Sequence, residues 1–329
     1  MRAVVLDEYG SLDNLAIREI PDPEPGPDDV VIDVKATAVN FVDLVLIGGT
    51  YQFKPDLPFV PGKGPSGVVH AVGDNVSNVA PGDRVVCMAE TGGYASRCMV
   101  AGKNCYRLPD GMSFADAASM ALVYDTAWFS LVERGRFSEG ETVLVLGASG
   151  GVGLSAIQLV KALGGTALAG IANMDKAGLC TDAGADAIFD LGADDLKDSL
   201  REQVFAATGG KGADVVIDPL GDDIFDAAIR SVAWCGRYIV IGFAAGRIPT
   251  LRANYVLVKN IDVGGLQISD YRRRRPDLTA KCFAHLFELY EAGEIAALPT
   301  EVRPFDDFHA ALKDVRDRKV RGRIVLSQE

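Results

Sequence analysis

Apolar and polar positions follow two different patterns along this chain of 329 residues. From the first residue to about residue 120, short apolar runs such as AVVL, DVVIDVKATAVN and DRVVCM are separated by turn sequences rich in proline and glycine. This spacing is typical of an irregular antiparallel β-domain. In SFADAASMALVYDTAWFSLVERG the apolar period becomes helical, and Ser113 is the predicted N-cap of the new helix. A domain boundary is expected near this change.

Strands and helices alternate from residue 142 to about residue 265. The predicted strands are TVLVL, TALAGIA, AIF, DVVIDP, RYIVIG and IDVGGL, and the predicted helices begin at Leu154 or span 176–183, 196–207 and 224–231. This alternation requires crossover connections and predicts a doubly wound parallel sheet. A helix in TAKCFAHLFELYEAGEI, a second around 308–317 and a closing strand complete the chain.

The composition narrows the possible partners. A net charge of -12 repels nucleic acid backbones and anionic membrane surfaces, which favours small-molecule partners. No stretch of about 18 apolar residues predicts a membrane span, and the N-terminus lacks the pattern of a targeting peptide. The six cysteines form no C-x-x-C pair, which favours reduced, structural thiols. A cytoplasmic protein is the expectation that fits these features.

The sequence GASGGVG at 147–153 lies between the apolar run TVLVL and a predicted helix. Tight turning, close approach to a pyrophosphate and close helix–sheet packing each exclude a side chain, as in a dinucleotide-binding loop. The first N–H groups of the helix would face the phosphates. A Walker-type loop is excluded because no Gly-Lys-Ser/Thr follows. The predicted cofactor contacts in this loop are Gly147, Ala148, Ser149, Gly150, Gly151, Val152 and Gly153.

The end of the next strand distinguishes NADH from NADPH. An NAD site places a carboxylate there for the ribose hydroxyls, whereas this chain has AGIANMDK. The missing carboxylate removes repulsion against a 2′-phosphate and Lys176 supplies attraction, which favours NADPH. An ordinary solvated Lys176 is the competing interpretation, and the adjacent Asp175 weakens the case for a phosphate contact.

Several blocks, in order along nearly the whole chain, resemble the medium-chain dehydrogenase/reductase superfamily. Among them are NFVDLVLIGGTYQFKPDLPFVPG, GGYASRCMV, VLVLGASGGVGLSAIQLVKALG and GADVVIDPLGDDIFDAAIRSVAWCGRYIVIG. They are most similar to its zinc-free quinone oxidoreductase, or zeta-crystallin-like, branch. The resemblance implies an α/β fold with a doubly wound parallel Rossmann domain over 123–265 that binds NADPH. It also implies a discontinuous GroES-like, β-rich catalytic domain over 1–122 and 266–329.

Zinc-dependent members of the superfamily use Cys and His ligands that this chain lacks. Lys63 or Gly64 stands where the ligand His is expected, and Asn40 stands in place of a ligand Cys. None of the three histidines lies near two cysteines at ligand spacing. We therefore predict no metal site and hydride donation to an activated acceptor, a quinone or an α,β-unsaturated carbonyl. Lys63 is interpreted as a loop lysine in solvent, with a substrate contact as the alternative.

The resemblance also implies three catalytic residues, Asn40, Tyr51 and Tyr124. Asn40 corresponds to an Asn that positions the nicotinamide or the substrate oxygen. Tyr51 lies where related enoyl reductases carry a tyrosine that hydrogen-bonds the acceptor carbonyl and donates a proton, with an aromatic lid over a quinone as the alternative. Tyr124 and Thr126, with an unusual Asp125 between them, resemble a helix start near the nicotinamide. The further cofactor contacts implied are Thr126, Asn173, Lys176, Gly242, Phe243, Ala244 and Arg318, with Arg321 easily confused with the last.

The basic run Arg272–Arg275 stands out in an acidic chain. It is interpreted as a solvated helix entry that contacts a partner subunit, with a pocket for an anionic substrate or a nucleic-acid patch as alternatives. The preceding KNIDVGGLQI resembles the edge strand through which relatives pair their sheets. An open edge is an aggregation liability, so a homodimer is expected.

These features predict an NADPH-dependent, metal-independent reductase that transfers hydride to a quinone or an α,β-unsaturated carbonyl. An enoyl-thioester or acrylate-type reductase is the alternative within enzymes. A protein that binds NADPH with little turnover is the alternative from another class. A nucleic-acid-binding role is disfavoured by the acidic composition.

Overall fold

The structure is a computed structural model that describes residues 1–328. The chain forms two compact units. The first unit contains Met1–Leu122, Ser269–Phe287 and the chain from Ala297 onward. The second unit contains Val123–Ile268 and Glu288–Ala296.

The strands are distributed over both units. They are β1 Arg2–Leu6, β2 Leu15–Glu19, β3 Asp29–Ala38, β4 Ser66–Val72, β5 Arg84–Cys87, β6 Arg97–Ala101, β7 Cys105–Arg107, β8 Thr142–Leu146, β9 Thr166–Ile171, β10 Ala187–Asp190, β11 Ala213–Asp218, β12 Val232–Val240, β13 Asp262–Gly265, β14 Thr300–Pro304 and β15 Arg323–Ser327.

The α-helices complete the regular structure. They are α1 Phe41–Ile47, α2 Phe114–Trp128, α3 Gly151–Ala162, α4 Ala177–Asp182, α5 Leu196–Ala207, α6 Asp222–Ala228, α7 Ala253–Lys259, α8 Ile268–Arg274, α9 Pro276–Glu291 and α10 Phe308–Arg316.

The second unit is built on a parallel sheet with the strand order β10-β9-β8-β11-β12-β13. Numbered within this unit, the order is 3-2-1-4-5-6, that of a doubly wound dinucleotide-binding fold. The central strands β8 and β9 are almost entirely buried, as expected when helices cover both faces. Leu144, Leu168, Val216 and Tyr238 belong to the core that the helices cover. The predicted doubly wound sheet is confirmed.

The first unit is β-rich. Its large sheet has the order β14-β15-β3-β4-β5-β7, β6 pairs with β3, and β1 and β2 form a separate hairpin. All pairs are antiparallel except β14 with β15, which run parallel. The spacing of turn sequences predicted the short strands. It could not predict that β14 and β15, near the C-terminus, pair in parallel.

Several predicted helix limits are wrong by a few residues. The helix after β8 begins at Gly151 rather than Leu154. The low helix propensity of glycine favoured a later start, but the helix packs so closely at this end that glycine is accommodated there. Helix α4 begins at Ala177 after a 3₁₀ turn, and α6 begins at Asp222. The predicted N-cap is confirmed, because the Asp116 N–H donates to Ser113 Oγ at 3.0 Å.

Within residues 1–328, each helix is too short or too polar to traverse a bilayer.

Candidate functional site

The geometry of the turn after β8 accounts for two of its three spaced glycines, Gly147 and Gly153. Gly147 has a φ of 61°, in the left-handed region that favours glycine. Gly150 is the extended N-cap of α3. A Cβ on Gly153 would lie 2.5 Å from Ala148 Cα and 2.6 Å from the Gly147 carbonyl oxygen. The close packing therefore excludes a side chain at Gly153, and the backbone conformation favours glycine at Gly147.

The amides of the turn fall into two groups. The Ala148 N–H donates to the Gly170 carbonyl and the Gly150 N–H to the Gly147 carbonyl, both at 3.0 Å, so these two shape the loop. The N–H groups of the first turn of α3 have no partner within the helix. They lie at the carboxyl edge of the sheet beside β8, where the strand order reverses. Such an array suits a pyrophosphate.

The segment after β9 carries no acid at its first positions. Ile171 ends the strand and the exposed Asn173 caps a 3₁₀ turn, its Oδ1 accepting the Asp175 N–H at 3.0 Å. Lys176 ends that turn and is half-buried. Arg318 belongs to the first unit, where it follows the C-cap residue of α10 and has a left-handed φ of 56°.

The buried carboxylate of Asp218, which the sequence analysis did not identify, holds the turn after β11 and contacts β12. Asp218 ends β11, and its Oδ1 accepts the N–H groups of Leu220 and Gly221 at 2.8 and 2.9 Å. The Tyr238 hydroxyl donates to its Oδ2 at 2.8 Å. Burial raises the pKa of Asp218, while these hydrogen bonds oppose that shift. The visible signal was the acid at the end of the buried strand DVVIDP.

The predicted residues 242–244 follow β12 directly. The Ala244 N–H donates to the Pro219 carbonyl at 3.0 Å, which joins this turn to the one after β11. Gly242 approaches the Pro219 carbonyl, and the ring of Phe243 is partly exposed. Both turns lie at the carboxyl ends of strands in the same sheet as the glycine turn.

Tyr124 lies ten residues after the first residue of α2, so the expected helix start at this position is wrong. Its buried hydroxyl is 2.9 Å from Gln158 Oε1 and 2.7 Å from the Ala296 carbonyl oxygen. Burial raises the pKa of Tyr124. The neighbouring Thr126 is also buried, with Oγ1 3.3 Å from Asp125 Oδ1. The contacts of the Tyr124 hydroxyl are structural, and its catalytic role stays a prediction.

In the first unit, Asn40 is buried and held from several directions. It follows β3 and caps α1, and its N–H donates to Asp43 Oδ2 at 2.9 Å. Its Oδ1 accepts from Arg323 Nη2 at 2.6 Å, and its Nδ2 donates to the Ala38 carbonyl at 3.0 Å. A guanidinium can only donate, so the orientation of the amide is determined. The second N–H of the amide takes no part in these hydrogen bonds.

The two ionisable residues that hydrogen-bond with Asn40, Asp43 and Arg323, are both buried. The Tyr94 hydroxyl donates to Asp43 Oδ2 at 2.7 Å, and burial raises the pKa values of both Asp43 and Tyr94. Burial lowers the pKa of Arg323 to about 10, although Asp43 opposes this shift. Asp43 and Arg323 therefore form a positioning network for Asn40. Asp43 was visible in the sequence as the fourth residue of an N-x-x-D capping pattern.

The interpretation of Lys63 as a solvent-exposed loop lysine is wrong. Its side chain is 2% exposed, and its ammonium donates to Glu90 and lies 5.4 Å from the centre of the Tyr51 ring. Tyr51 is half-buried. Because Lys63 and Glu90 are 27 residues apart, only tertiary packing could show that they form a pair.

The basic run is also not uniformly solvated. Arg272 is 2% exposed and donates to Glu90 Oε1 at 3.0 Å, and Ser269 donates to Glu90 Oε2 at 2.9 Å. Burial tends to raise the pKa of Glu90, but Arg272 and Lys63 outweigh it and hold the pKa at about 2. The exposed members of the run pair locally, Arg273 with Asp270 and Arg275 with Asp277.

Two family models match the chain. One, described as an alcohol dehydrogenase GroES-like domain, matches residues 26–121, and the other, described as a zinc-binding dehydrogenase, matches residues 151–283. Within residues 1–328, no group of three or more His, Cys, Asp and Glu side chains could hold a metal ion. The residues present therefore do not fit a zinc site.

Relatives cover nearly the whole chain. A quinone oxidoreductase-like protein 2 homologue of Nematostella vectensis is 33% identical, over 99% of this chain and 88% of its own. A mycobacterial structure complexed with NADPH is 31% identical, covers 99% of both chains and has a TM-score of 0.91. The Escherichia coli quinone oxidoreductase complexed with NADPH is 25% identical, covers 99% of this chain and 100% of its own, and has a TM-score of 0.89. With its Rossmann and GroES-like folds, this chain therefore belongs to the quinone oxidoreductase-like branch of the medium-chain dehydrogenase/reductase family of oxidoreductases.

Proposed function

We propose that this chain is an NADPH-dependent reductase that transfers a hydride to a quinone or an α,β-unsaturated carbonyl. The observation that carries the proposal is the glycine turn at the reversal point of the parallel sheet, with no carboxylate at residues 170–172, where the neighbouring strand ends. Two similar structures are complexed with NADPH, which supports the same cofactor here.

The residues of the second unit fit NADPH. The first turn of α3 and Ser149 would hold the pyrophosphate, since this is where backbone N–H groups and the positive helix end coincide. Asn173 and Lys176 would hold the 2′-phosphate. Gly242, Phe243 and Ala244 would line the nicotinamide. Bound NADPH supplies a hydride, that is, a hydrogen with two electrons.

The first unit contributes the residues for the acceptor. When the acceptor carbon gains the hydride, the conjugated electrons move to the carbonyl oxygen, which becomes an oxyanion. The remaining Asn40 Nδ2–H and the Tyr51 hydroxyl would donate hydrogen bonds to that oxygen. Tyr51 or water then supplies the proton that completes reduction. The fixed amide of Asn40 supports this role, because a donor that is already oriented needs no reorganisation.

The test is steady-state oxidation of NADPH and NADH by the purified protein, with 1,4-benzoquinone, a bulky ortho-quinone, an enone and acryloyl-CoA offered in parallel. We expect NADPH-selective turnover of quinone or enone. Tyr51→Phe should lower kcat with the enone by about 10- to 100-fold if Tyr51 is the proton donor. Unchanged turnover would leave Tyr51 as an aromatic contact only.

An enoyl-thioester reductase is the alternative substrate class. The CurK enoyl reductase is 26% identical, covers 99% of this chain and 98% of its own, and has a TM-score of 0.88. The basic run gives this alternative little support, because Arg272, Arg273 and Arg275 each have an acidic partner. Turnover of acryloyl-CoA alone would favour it, and NADPH binding without turnover of any acceptor would favour a binding protein.

We also propose a homodimer formed through the edge strand β13. This strand ends the parallel sheet, and its outer side has no strand partner within residues 1–328. Large apolar side chains before it, in the loop and α7, are exposed: Ile248 at 70%, Leu257 at 78% and Val258 at 74%. An open edge flanked by apolar groups matches an interface between two copies of the chain.

A further inference from the structure

The loop 61–65 carries a buried cation that the proposed mechanism has not used. The Lys63 ammonium lies 5.4 Å from the centre of the Tyr51 ring and is 2% exposed. An ammonium has three N–H donors. Within residues 1–328, its one hydrogen-bond acceptor is the Glu90 carboxylate.

Glu90 cancels the charge of Lys63 only in part. The same carboxylate accepts hydrogen bonds from Arg272 and Ser269, and its side chain is 32% exposed. A carboxylate shared among three donors and partly in contact with solvent screens each of its cations incompletely. A second acid, Asp43, also interacts electrostatically with Lys63, but burial raises the pKa of Asp43 and so disfavours its charged form. The ammonium is thus held in place and still exerts a positive field around Tyr51.

We infer that Lys63 stabilises the oxyanion that forms on the acceptor oxygen hydrogen-bonded to Tyr51. This inference rests on the proposed function and adds a third group to the acceptor site. During reduction one C–H bond of the hydride donor breaks, one C–H bond forms on the acceptor, and an electron pair moves to the acceptor oxygen. Lys63 acts by its charge alone, while Tyr51 or water supplies the proton that ends the reaction.

The direct test measures charge stabilisation without turnover. 4-Nitrophenol is bound to the protein saturated with NADP⁺, and its absorbance reports the fraction present as phenolate across a range of pH. We compare the wild type with Lys63→Met, which removes the charge, and Lys63→Arg, which retains it. Lys54→Met is the matched control, because the Lys54 ammonium lies 5.8 Å from the centre of the Tyr9 ring, in a cation–aromatic contact outside the proposed site.

We expect the wild type to bind the phenolate form preferentially. Lys63→Met should weaken phenolate binding by about 10- to 100-fold relative to phenol, whereas Lys63→Arg and Lys54→Met should retain most of the preference. An unchanged ratio in Lys63→Met, or a wild type that does not prefer the phenolate, would overturn the inference. Circular dichroism and NADPH affinity establish that each variant is folded.

A kinetic series separates this inference from the proposed function. Rates are measured for enones of graded acceptor-oxygen basicity. Loss of Lys63 should make the rate depend more steeply on that basicity, an effect that simple loosening of the loop does not produce. If the wild type turns over these enones and the slope is unchanged in Lys63→Met, the inference fails while the reductase proposal stands. If the wild type turns over no acceptor, the proposed function itself fails.

Discussion

At the scale of single residues, buried polar contacts determine what each candidate side chain can do. Asn40 was predicted from its place after a strand, but its orientation depends on Arg323, which is 283 positions away in the sequence. Lys63 was predicted to lie in solvent and is buried against Glu90. A residue type and its neighbours in sequence therefore identify a candidate, whereas distant partners determine its charge environment.

Arg323→Met tests the positioning network. It should destabilise the protein by about 3 kcal/mol, because it leaves Asn40 Oδ1 without its donor and removes one of the two cations, Lys63 and Arg323, that interact with the buried Asp43. We also expect kcat/KM to fall by about tenfold or more as Asn40 loses its orientation. Urea unfolding measures the first effect and acceptor turnover the second.

The matched control is Arg2→Met, which removes an exposed ion pair with Asp306. Its cost should stay below about 1 kcal/mol. Equal destabilisation by the two substitutions would contradict the assignment of a buried network to Arg323.

Glu90 should make stability depend on pH in the acid range. Its pKa is lowered from 4.5 to about 2 in the folded state, so its stabilisation is present above pH 4.5 and is lost as the pH falls toward 2. After discounting for the exposed part of the side chain, we expect Glu90→Gln to cost about 2 kcal/mol at pH 6 and progressively less below pH 4.5. Denaturant titrations of both proteins between pH 6 and 2.5 measure this difference.

Asp270→Asn serves as the control, since Asp270 pairs with exposed arginines. It should change the free energy of unfolding by less than about 0.5 kcal/mol. A pH-independent difference between wild type and Glu90→Gln would show that the carboxylate is not paired as described.

At the scale of elements, α3 and the turn after β8 are in close contact at the proposed nucleotide-binding end of the sheet. The sequence pattern G-x-x-G-x-x-G predicted both the turn and the helix that follows. It did not predict that the helix begins at Gly151, because local propensity opposes a helix whose first turn contains two glycines. Packing against the turn, where a Cβ on Gly153 would overlap backbone atoms, overrides that propensity.

Gly153→Ala should therefore weaken both stability and NADPH binding. The added Cβ would lie 2.5 Å from Ala148 Cα, so the helix start must move, at a cost of about 1–3 kcal/mol. We expect the Kd for NADPH to rise at least about tenfold, because the first-turn amides shift with the helix. Fluorescence titration with NADPH and thermal unfolding measure the two effects.

Gly178→Ala in α4 is the control, because a Cβ there would meet nothing within 4 Å. It should stabilise the protein by about 0.5–1 kcal/mol and leave NADPH binding unchanged. Similar affinities for the two variants would argue against pyrophosphate binding at α3.

At the scale of the whole molecule, the open edge of β13 and the exposed apolar residues before it bear on assembly. Leu257→Lys should convert the proposed homodimer into monomers, since a charge at an apolar interface is costly to bury. Sedimentation velocity at several concentrations measures the change. Met99→Lys, at a 44% exposed apolar residue of the first unit, should leave the dimer intact.

A monomeric wild type would exclude this dimer and leave β13 as a short, solvent-facing edge.

The sequence by itself determined the alternation of strands and helices, the glycine turn and the residue types at the candidate sites, because these depend on local periodicity and backbone sterics. Tertiary structure alone decided the parallel pairing of β14 with β15, the burial of Lys63 and Arg272, and the partners of Tyr124. Each of these joins segments far apart in the chain. Their free energy comes from desolvation and charge pairing between groups that no local pattern relates.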